Sequence, residues 1–345
     1  MFAAASTTTG TASTLLSTSS ELALARESDT GVHEVSPAVW AARRRTVVSS
    51  SGNMTLGGAT DSSQGWCPNK VDSLHLDGGA SLELRSIDVE LGDVECTGNL
   101  SSVLSPLLTL LNGSSLGFKP KKLALQRCRV ELREGWLVDV NKLEVTNNAS
   151  IFLYPEGGTR SSAVSNATSE LSRYEWDSLH IGPSGTMVLE SMPSDVDAMA
   201  PPITILAESL SVETGGILHS NGRGFAAAAA PGMGANGPLK GVTDAMVGGG
   251  GGGHAGCGGN SHASCDTMQT PSYGSAYQPV ASGSGGGAGD GTCDGDKCTG
   301  AGGGGGGVVY VRVSTDLALN GTISADGTTC GSGGGDGEAN GGGGG

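Results

Sequence analysis

Only 4% of this 345-residue chain is aromatic, and 19 cationic side chains stand against 34 anionic ones, a formal net charge of -15. The shortage of basic residues argues against a nucleic-acid surface, because phosphate binding needs clustered Lys and Arg. The one basic run, three arginines at 43–45, reads as a solvated cluster. No apolar run reaches the roughly 18 residues that a membrane helix needs. The Walker pattern G-x-x-x-x-G-K-[ST] is missing, and in so glycine-rich a chain a chance G-x-G-x-x-G carries no weight, so a nucleotide site is rejected. The N-terminal stretch MFAAASTTTGTASTLLSTSSELALA lacks the charged n-region and compact apolar h-region of a secretory signal.

Glycine is in large excess, with 61 residues. Ordering a residue costs roughly 1–2 kcal/mol of backbone entropy, and glycine has no side chain whose burial offsets it. A core is therefore expected in the glycine-poor segment 70–215, rich in Leu, Val and Ile. Residues 1–50, rich in Ser, Thr and Ala without sustained periodicity, are expected to be disordered.

Beyond them one phrase recurs: LHLDGGASLEL from Leu74, LALQRCRVEL from Leu123, LEVTNNASIFL from Leu143, LHIGPSGTMVL from Leu179, LSVETGGILHSNG from Leu210 and LALNGTISADG from Leu317. In each, an apolar-x-apolar pair precedes a short turn-forming gap and a second alternating pair. The intervals vary from about 20 to about 30 residues, as rungs with loops of different length would give. Each rung leaves an apolar edge that only the next can cover. The fold expected is all-β, a right-handed parallel β-helix with long glycine-rich insertions, and a β-sandwich is the alternative. The copies at 210 and 317 align Leu210, Val212, Gly216, Ile217, Asn221 and Gly222 with Leu317, Leu319, Gly321, Ile323, Asp326 and Gly327. Asn-Gly and Asp-Gly then close the turns. The organisation expected is a disordered segment at 1–50, solenoid rungs at 51–215, a glycine-rich loop excursion at 216–307, and a further rung with a second excursion at 308–345.

Six Asn-x-Ser/Thr patterns offer glycosylation acceptors at Asn53, Asn99, Asn112, Asn148, Asn166 and Asn320. Eight cysteines, an even number in mostly loop-like contexts, fit disulfides in an oxidising compartment. The chain therefore reads as secretory, and as a fragment, since it stops inside the run GEANGGGGG.

The series SNGRG, GGGGGGHAGCGG, PSYGSAYQP, GSGGGAG, GGGGGGVVYVRV and LALNGTISADG, spanning about 203–345, resembles the large glycine-rich cell-surface proteins of plants, algae and protists. Some of those carry ephrin-receptor-like cysteine-rich modules, and nothing like that module is found here. The resemblance implies an extracellular or surface-exposed β-helix without an established enzymatic role.

His254, Cys257, His262 and Cys265 supply the ligand types zinc takes, but the four-residue gap between the two His-x-x-Cys units is much shorter than finger spacing. Without a visible set of supporting groups, metal binding is disfavoured. Disulfide candidates are Cys257, Cys265, Cys293, Cys298 and Cys330. Cys257 pairs locally with Cys265 or reaches Cys293, Cys298 or Cys330, and Cys293 with Cys298 around DGDK has a similar loop-closing look. Asp290, Asp294 and Asp296 match neither the EF-hand loop nor a calcium nonapeptide and read as a solvated acidic turn. Asp72, Asp77, Asp88, Glu90, Asp93 and Glu95 form the densest acidic segment, which Arg127 and Arg129 would face in a polysaccharide-cleaving β-helix. Alternating charge on a strand is more often its solvent face. The expectation is a secreted or surface structural and adhesive protein without cofactor or catalytic activity. Its partners would be extracellular matrix, cell-wall polysaccharide or another surface protein, and the alternative is a carbohydrate-active β-helix enzyme.

Overall fold

The structure is a computed structural model. It describes residues 21–24, 32–35, 45–48, 53–57, 69–77, 81–85, 88–97, 107–111, 115–118, 121–133, 136–137, 140–155, 158–159, 173–190, 203–226, 274, 281–287, 293–294, 297–298 and 303–328. Among these there is no helix, and none is long and apolar enough to cross a membrane.

The strands, in chain order, are β1 (Glu21–Leu24), β2 (Val32–Val35), β3 (Arg45–Val48), β4 (Asn53–Gly57), β5 (Asn69–Asp77), β6 (Ser81–Arg85), β7 (Asp88–Thr97) and β8 (Leu107–Leu111). Next come β9 (Ser115–Phe118), β10 (Lys122–Gln126), β11 (Arg129–Leu132), β12 (Trp136–Leu137), β13 (Lys142–Thr146), β14 (Ser150–Leu153), β15 (Gly158–Thr159) and β16 (Arg173–Ile181). The last are β17 (Thr186–Leu189), β18 (Thr204–Val212), β19 (Ile217–His219), β20 (Cys293–Asp294), β21 (Lys297–Cys298), β22 (Tyr310–Leu319) and β23 (Thr322–Ser324).

They form a seven-stranded sheet, β1-β3-β5-β7-β9-β12-β15, a five-stranded sheet, β10-β13-β16-β18-β22, and a nine-stranded sheet, β2-β4-β6-β8-β11-β14-β17-β19-β23. A strand's neighbour is never the next strand in the chain, except in the short β20–β21 pair. The registers that can be followed are parallel, again except for β20–β21. A sandwich rests on antiparallel sheets, so the parallel registers among the described strands do not favour that alternative. All six recurring phrases supply a pair of successive strands: β5 and β6, β10 and β11, β13 and β14, β16 and β17, β18 and β19, and β22 and β23. Within residues 1–50, where composition predicted disorder, β1, β2 and β3 are described, and β1 and β3 pair in parallel register. Four-residue strands are too short to show a period on their own.

The chain divides into two compact units. One comprises Met1–Val188, Ile205–Ile217 and Val311–Thr322, and the other Leu189–Thr204, Leu218–Tyr310 and Ile323–Gly345.

In the first unit, strand alternation with period two sends one face of each strand inward, and parallel register stacks like on like. Leu123 sits on Leu143 and Leu143 on Leu179, Leu125 on Val145 and Val145 on Ile181. Leu82, Leu108, Val130 and Ile151 make a further column, and all these side chains are buried. The turns between strands also stack. Arg127, Asn147, Asn148, Ser184 and Gly215 all have positive φ, between 52° and 82°. Arg127 N–H donates to the Asn147 carbonyl, Asn147 N–H to Pro183, and Ser184 N–H to Gly215. Asn and Gly enter the left-handed region at low cost, which explains the NN and GG in the repeated phrase. A second corner is tied by Asn141, whose carbonyl accepts from both Asp177 and Ser178 N–H while its Nδ2 donates to Asp177 Oδ2 at 2.8 Å.

The second unit departs from expectation, because described glycine-rich segments are packed rather than loose. Gly283 N–H donates to the Gly306 carbonyl (2.7 Å) and the Gly283 carbonyl accepts from Phe225 N–H (3.0 Å). Gly305 N–H donates to the Phe225 carbonyl, Gly224 N–H to Gly305, and Gly286 N–H to Gly303. Phe225, Ala281, Ser284 and most of the glycines in these segments are buried. Backbone hydrogen bonds between closely approaching chains take the place that apolar side chains hold in the first unit. Glycine is required sterically, since a Cβ at Gly305 would collide with the Gly283 carbonyl and one at Gly306 with that of Ala325.

The register also corrects one expected alignment. Thr322 N–H donates to the Gly216 carbonyl, as Ser150 N–H does to Cys128 where Arg129 and Ser150 are partners. Ile217 is therefore matched by Thr322, and Ile323 by Leu218. Ile217 is accordingly 37% exposed and Leu218 fully buried; four residues separate Val212 from Ile217 where two separate Leu319 from Thr322.

Gly305→Ala is expected to destabilise the second unit by about 1–3 kcal/mol or more, as overpacking does. Hydrogen exchange of the Phe225 and Gly283 amides checks it, and unchanged protection would show that the glycine packing contributes nothing.

Candidate functional site

The outward positions of the five-stranded sheet form a polar surface. Lys122 pairs with Glu144, and Glu144 stands beside His180 in register. His180 Nε2 lies 3.7 Å from Glu213 Oε1, beyond hydrogen-bonding distance. Between β16, β18 and β22 lies an open groove of about 450 Å³, lined among others by Ser178, His180, Ser209, Ser211, Asp316 and Leu317. The Ser209 hydroxyl donates to the Asp177 carbonyl at 3.2 Å. The groove thus offers hydroxyls, an imidazole and a carboxylate, a set suited to hydrogen-bonding a polyhydroxylated chain.

A second cluster lies on the outward side of β11. Glu131 is only 4% exposed, yet it is held by two arginines, with Arg129 Nη2 2.7 Å from Oε1 and Arg133 Nε 2.9 Å from Oε2. Those guanidiniums stack over Phe152 (4.4 Å) and Tyr154 (5.4 Å) on the neighbouring stretch of chain. Hydrogen bonding to Glu131 pushes the Arg133 pKa up, outweighing the opposing effect of burial. The one carboxylate, Glu131, is shared by two guanidiniums, and this buried pairing ties strands together.

In the second unit, Asn221 N–H donates to His219 Nδ1 at 3.2 Å, and Asn221 Oδ1 accepts from the Ser324 hydroxyl (2.9 Å) and Asp326 N–H (2.7 Å). Burial, with a smaller contribution from Arg223, lowers the His219 pKa below its ordinary 6.5. Arg223 itself pairs with Glu190 at 3.0 Å.

The candidates raised by sequence fall in several places. Cys257, Cys265, Cys330, His254, His262, Asn99, Asn112, Asn166, Asp290 and Asp296 lie outside the described residues. Cys293 and Cys298 are direct partners in the β20–β21 pairing, with Asp294 opposite Lys297. Asn53 opens β4. Asn148 stands exposed in a turn at φ 61°, and Asn320 is exposed at the end of β22. The acidic segment occupies β5 and β7 of the seven-stranded sheet. Arg129 belongs instead to the nine-stranded sheet and is engaged by Glu131, so it does not answer those carboxylates. Arg127 sits in a turn. Among the described residues no three His, Cys, Asp or Glu side chains gather as a metal site would require.

A disulfide absent from the expected set joins Cys96 of β7 to Cys128, which follows β10, with Cα atoms 5.6 Å apart and both residues buried. The signal was present in register, since Cys96 is the partner of inward-facing Leu76. Likewise the RVELR run at 129–133 announces outward Arg, Glu and Arg once the phase of β11 is known.

Comparison with protein-family models, curated proteins and solved structures finds no match to this chain.

Replacing Cys96 and Cys128 together by Ala is expected to lower unfolding stability by about 2–4 kcal/mol, seen as a lower urea midpoint, while thiol labelling of the native protein leaves both unmodified. Because the folded state binds a proton at His219 more weakly than the unfolded chain, stability from this site is complete above pH 6.5 and falls as pH drops through that value. His219→Gln should remove that part of the acid sensitivity of the second unit, as read by unfolding between pH 7 and 5.

Proposed function

We propose that this chain is a right-handed parallel β-helix that serves as a non-catalytic structural and adhesive scaffold, secreted or displayed on a cell surface. The observation that carries the reading is the return of one strand–turn–strand unit, stacked in parallel register, with columns of buried Leu, Val and Ile running through it. Such stacking makes a quasi-one-dimensional body whose rungs each depend on their neighbours, a geometry suited to presenting a long surface. The order of the glycine blocks, similar to that in large glycine-rich surface proteins, supports the same reading. Exposed Asn148 and Asn320 would carry glycans on the outside of the rungs, and the Cys96–Cys128 bond suits an oxidising compartment.

The adhesive partner we propose is a cell-wall or matrix polysaccharide, engaged by the groove between β16, β18 and β22. Its serines, His180 and Asp316 match the alternating donors and acceptors of sugar hydroxyls. Binding of the purified chain to a panel of immobilised polysaccharides tests it. Saturable retention is expected on at least one member, weakened about 2- to 10-fold by His180→Ala or Ser211→Ala, the loss of one hydrogen bond each. No reducing ends should be released. Depolymerisation of any panel member would turn the reading to a carbohydrate-active enzyme, and retention indifferent to both substitutions would remove the groove as the binding surface.

A further inference from the structure

The glycine-rich stretch of the second unit has a register of its own. Gly283 N–H donates to the Gly306 carbonyl (2.7 Å) and Gly286 N–H to the Gly303 carbonyl (2.8 Å), so three steps forward on one segment are met by three steps back on the other. The two segments are antiparallel arms bonded to each other at every third residue, the spacing of a polyproline-II helix and not of a β-ladder. Their glycines keep negative φ, since positive φ among the described glycines is confined to Gly215, Gly222 and Gly274. Between the arms this is a sparse hold, with no glycine side chain to add burial to it.

Further along the same two segments, β20 and β21 pair antiparallel, with Cys293 opposite Cys298 and Asp294 opposite Lys297. Only two residues separate Asp294 from Lys297 in sequence, too few to form another pair, so Asp294 and Lys297 are the hydrogen-bonded pair that closes the ladder. Cys293 and Cys298 are then a non-hydrogen-bonded pair, placed on one face of the ladder where opposite Cα atoms approach to about 4.5 Å. A disulfide needs Cα atoms about 4.4–6.8 Å apart, and this position meets that requirement without backbone movement.

We propose that Cys293 and Cys298 form a cross-strand disulfide that clips the tip of this glycine hairpin and so staples the second unit. The bond forms by exchange with a small disulfide such as oxidised glutathione. One cysteine thiolate attacks a sulfur of the small disulfide and expels one thiolate, and the other cysteine thiolate then attacks the mixed disulfide and expels the second. Two protein thiols give up two protons and two electrons, which leave as two small thiols. Closing the tip shortens the loop that opened arms explore, so the arms return to their hydrogen bonds at a lower entropic cost. The pairing follows from the register of β20 and β21 and is independent of where the protein resides or what its groove binds. It also takes Cys293 and Cys298 from the partners that sequence left open to Cys257.

Disulfide mapping of the full 345-residue chain, folded in a glutathione redox buffer and then alkylated, tests this. Cleavage before Asp290, Asp294 and Asp296 leaves Cys293 and Cys298 on separate peptides, neither holding another cysteine. These two peptides are expected to be joined and to separate on reduction. Either cysteine joined to a different one, or both alkylated in a chain whose Cys96–Cys128 bond has formed, overturns the proposal. The stapling role is read from amide exchange, where the double variant C293S/C298S should speed exchange at Gly283 and Gly286 about tenfold or more. Unchanged exchange in that variant overturns the role as a clip even where the bond is present. Far-UV circular dichroism establishes that the variant is folded, and the mapping is made on the parent chain and does not depend on it.

Discussion

Everything in the first unit depends on each strand lying in register on an equivalent strand from the rung before it. A parallel ladder satisfies the backbone along the stacking direction and at the same time places Leu on Leu and Val on Ile. Hydrogen bonding and apolar burial are thus one constraint, because a one-residue slip would turn every inward side chain to solvent. The turns obey the same rule. Asn147 and Ser184 accept a left-handed backbone because carbonyls of the following rung, at Pro183 and Gly215, receive their N–H groups. The position of Ile217 shows how strictly this holds: although the two turns differ in length, Leu218 and Ile323 share the inward phase and Ile217 is left at the surface.

The second unit satisfies the same need for backbone pairing with a different material. Where Gly283, Gly305 and Phe225 exchange N–H and carbonyl bonds, the chains come too close for a Cβ, so glycine is selected by lack of space and not by a need for mobility. The entropy lost on ordering glycine is high, which is why composition alone pointed to flexible loops. What offsets it is the density of hydrogen bonds among segments far apart in the chain, a quantity that no local window of sequence contains.

Around these two cores, polar groups divide into those consumed by the fold and those left facing solvent. Glu131 with Arg129, Arg133, Phe152 and Tyr154 is closed on itself and clamps adjacent strands. Ser178, His180, Ser211 and Asp316 remain directed to an open groove, and it is these that carry the proposed contact with polysaccharide. Charge density was a poor guide to this division. The acidic residues of β5 and β7 stand out in the sequence, whereas the groove draws its hydroxyls from three serines of ordinary appearance.

Sequence by itself determined the strand–turn–strand units and, through Leu123, Leu143 and Leu179, the inward phase of their first strands, because a period of two with turn-forming gaps is a local property. It also determined where the chain turns, since NN, PSG and GG offer backbone conformations that other residues resist. Only the tertiary structure decided that Cys96 meets Cys128 across 32 positions, that Arg129 answers Glu131 and not the acidic strands, and that described oligoglycine packs as a core. These outcomes depend on which rung stacks on which and at what register. Variable loops between rungs erase that information from sequence spacing, and the aligned columns of buried side chains restore it in three dimensions.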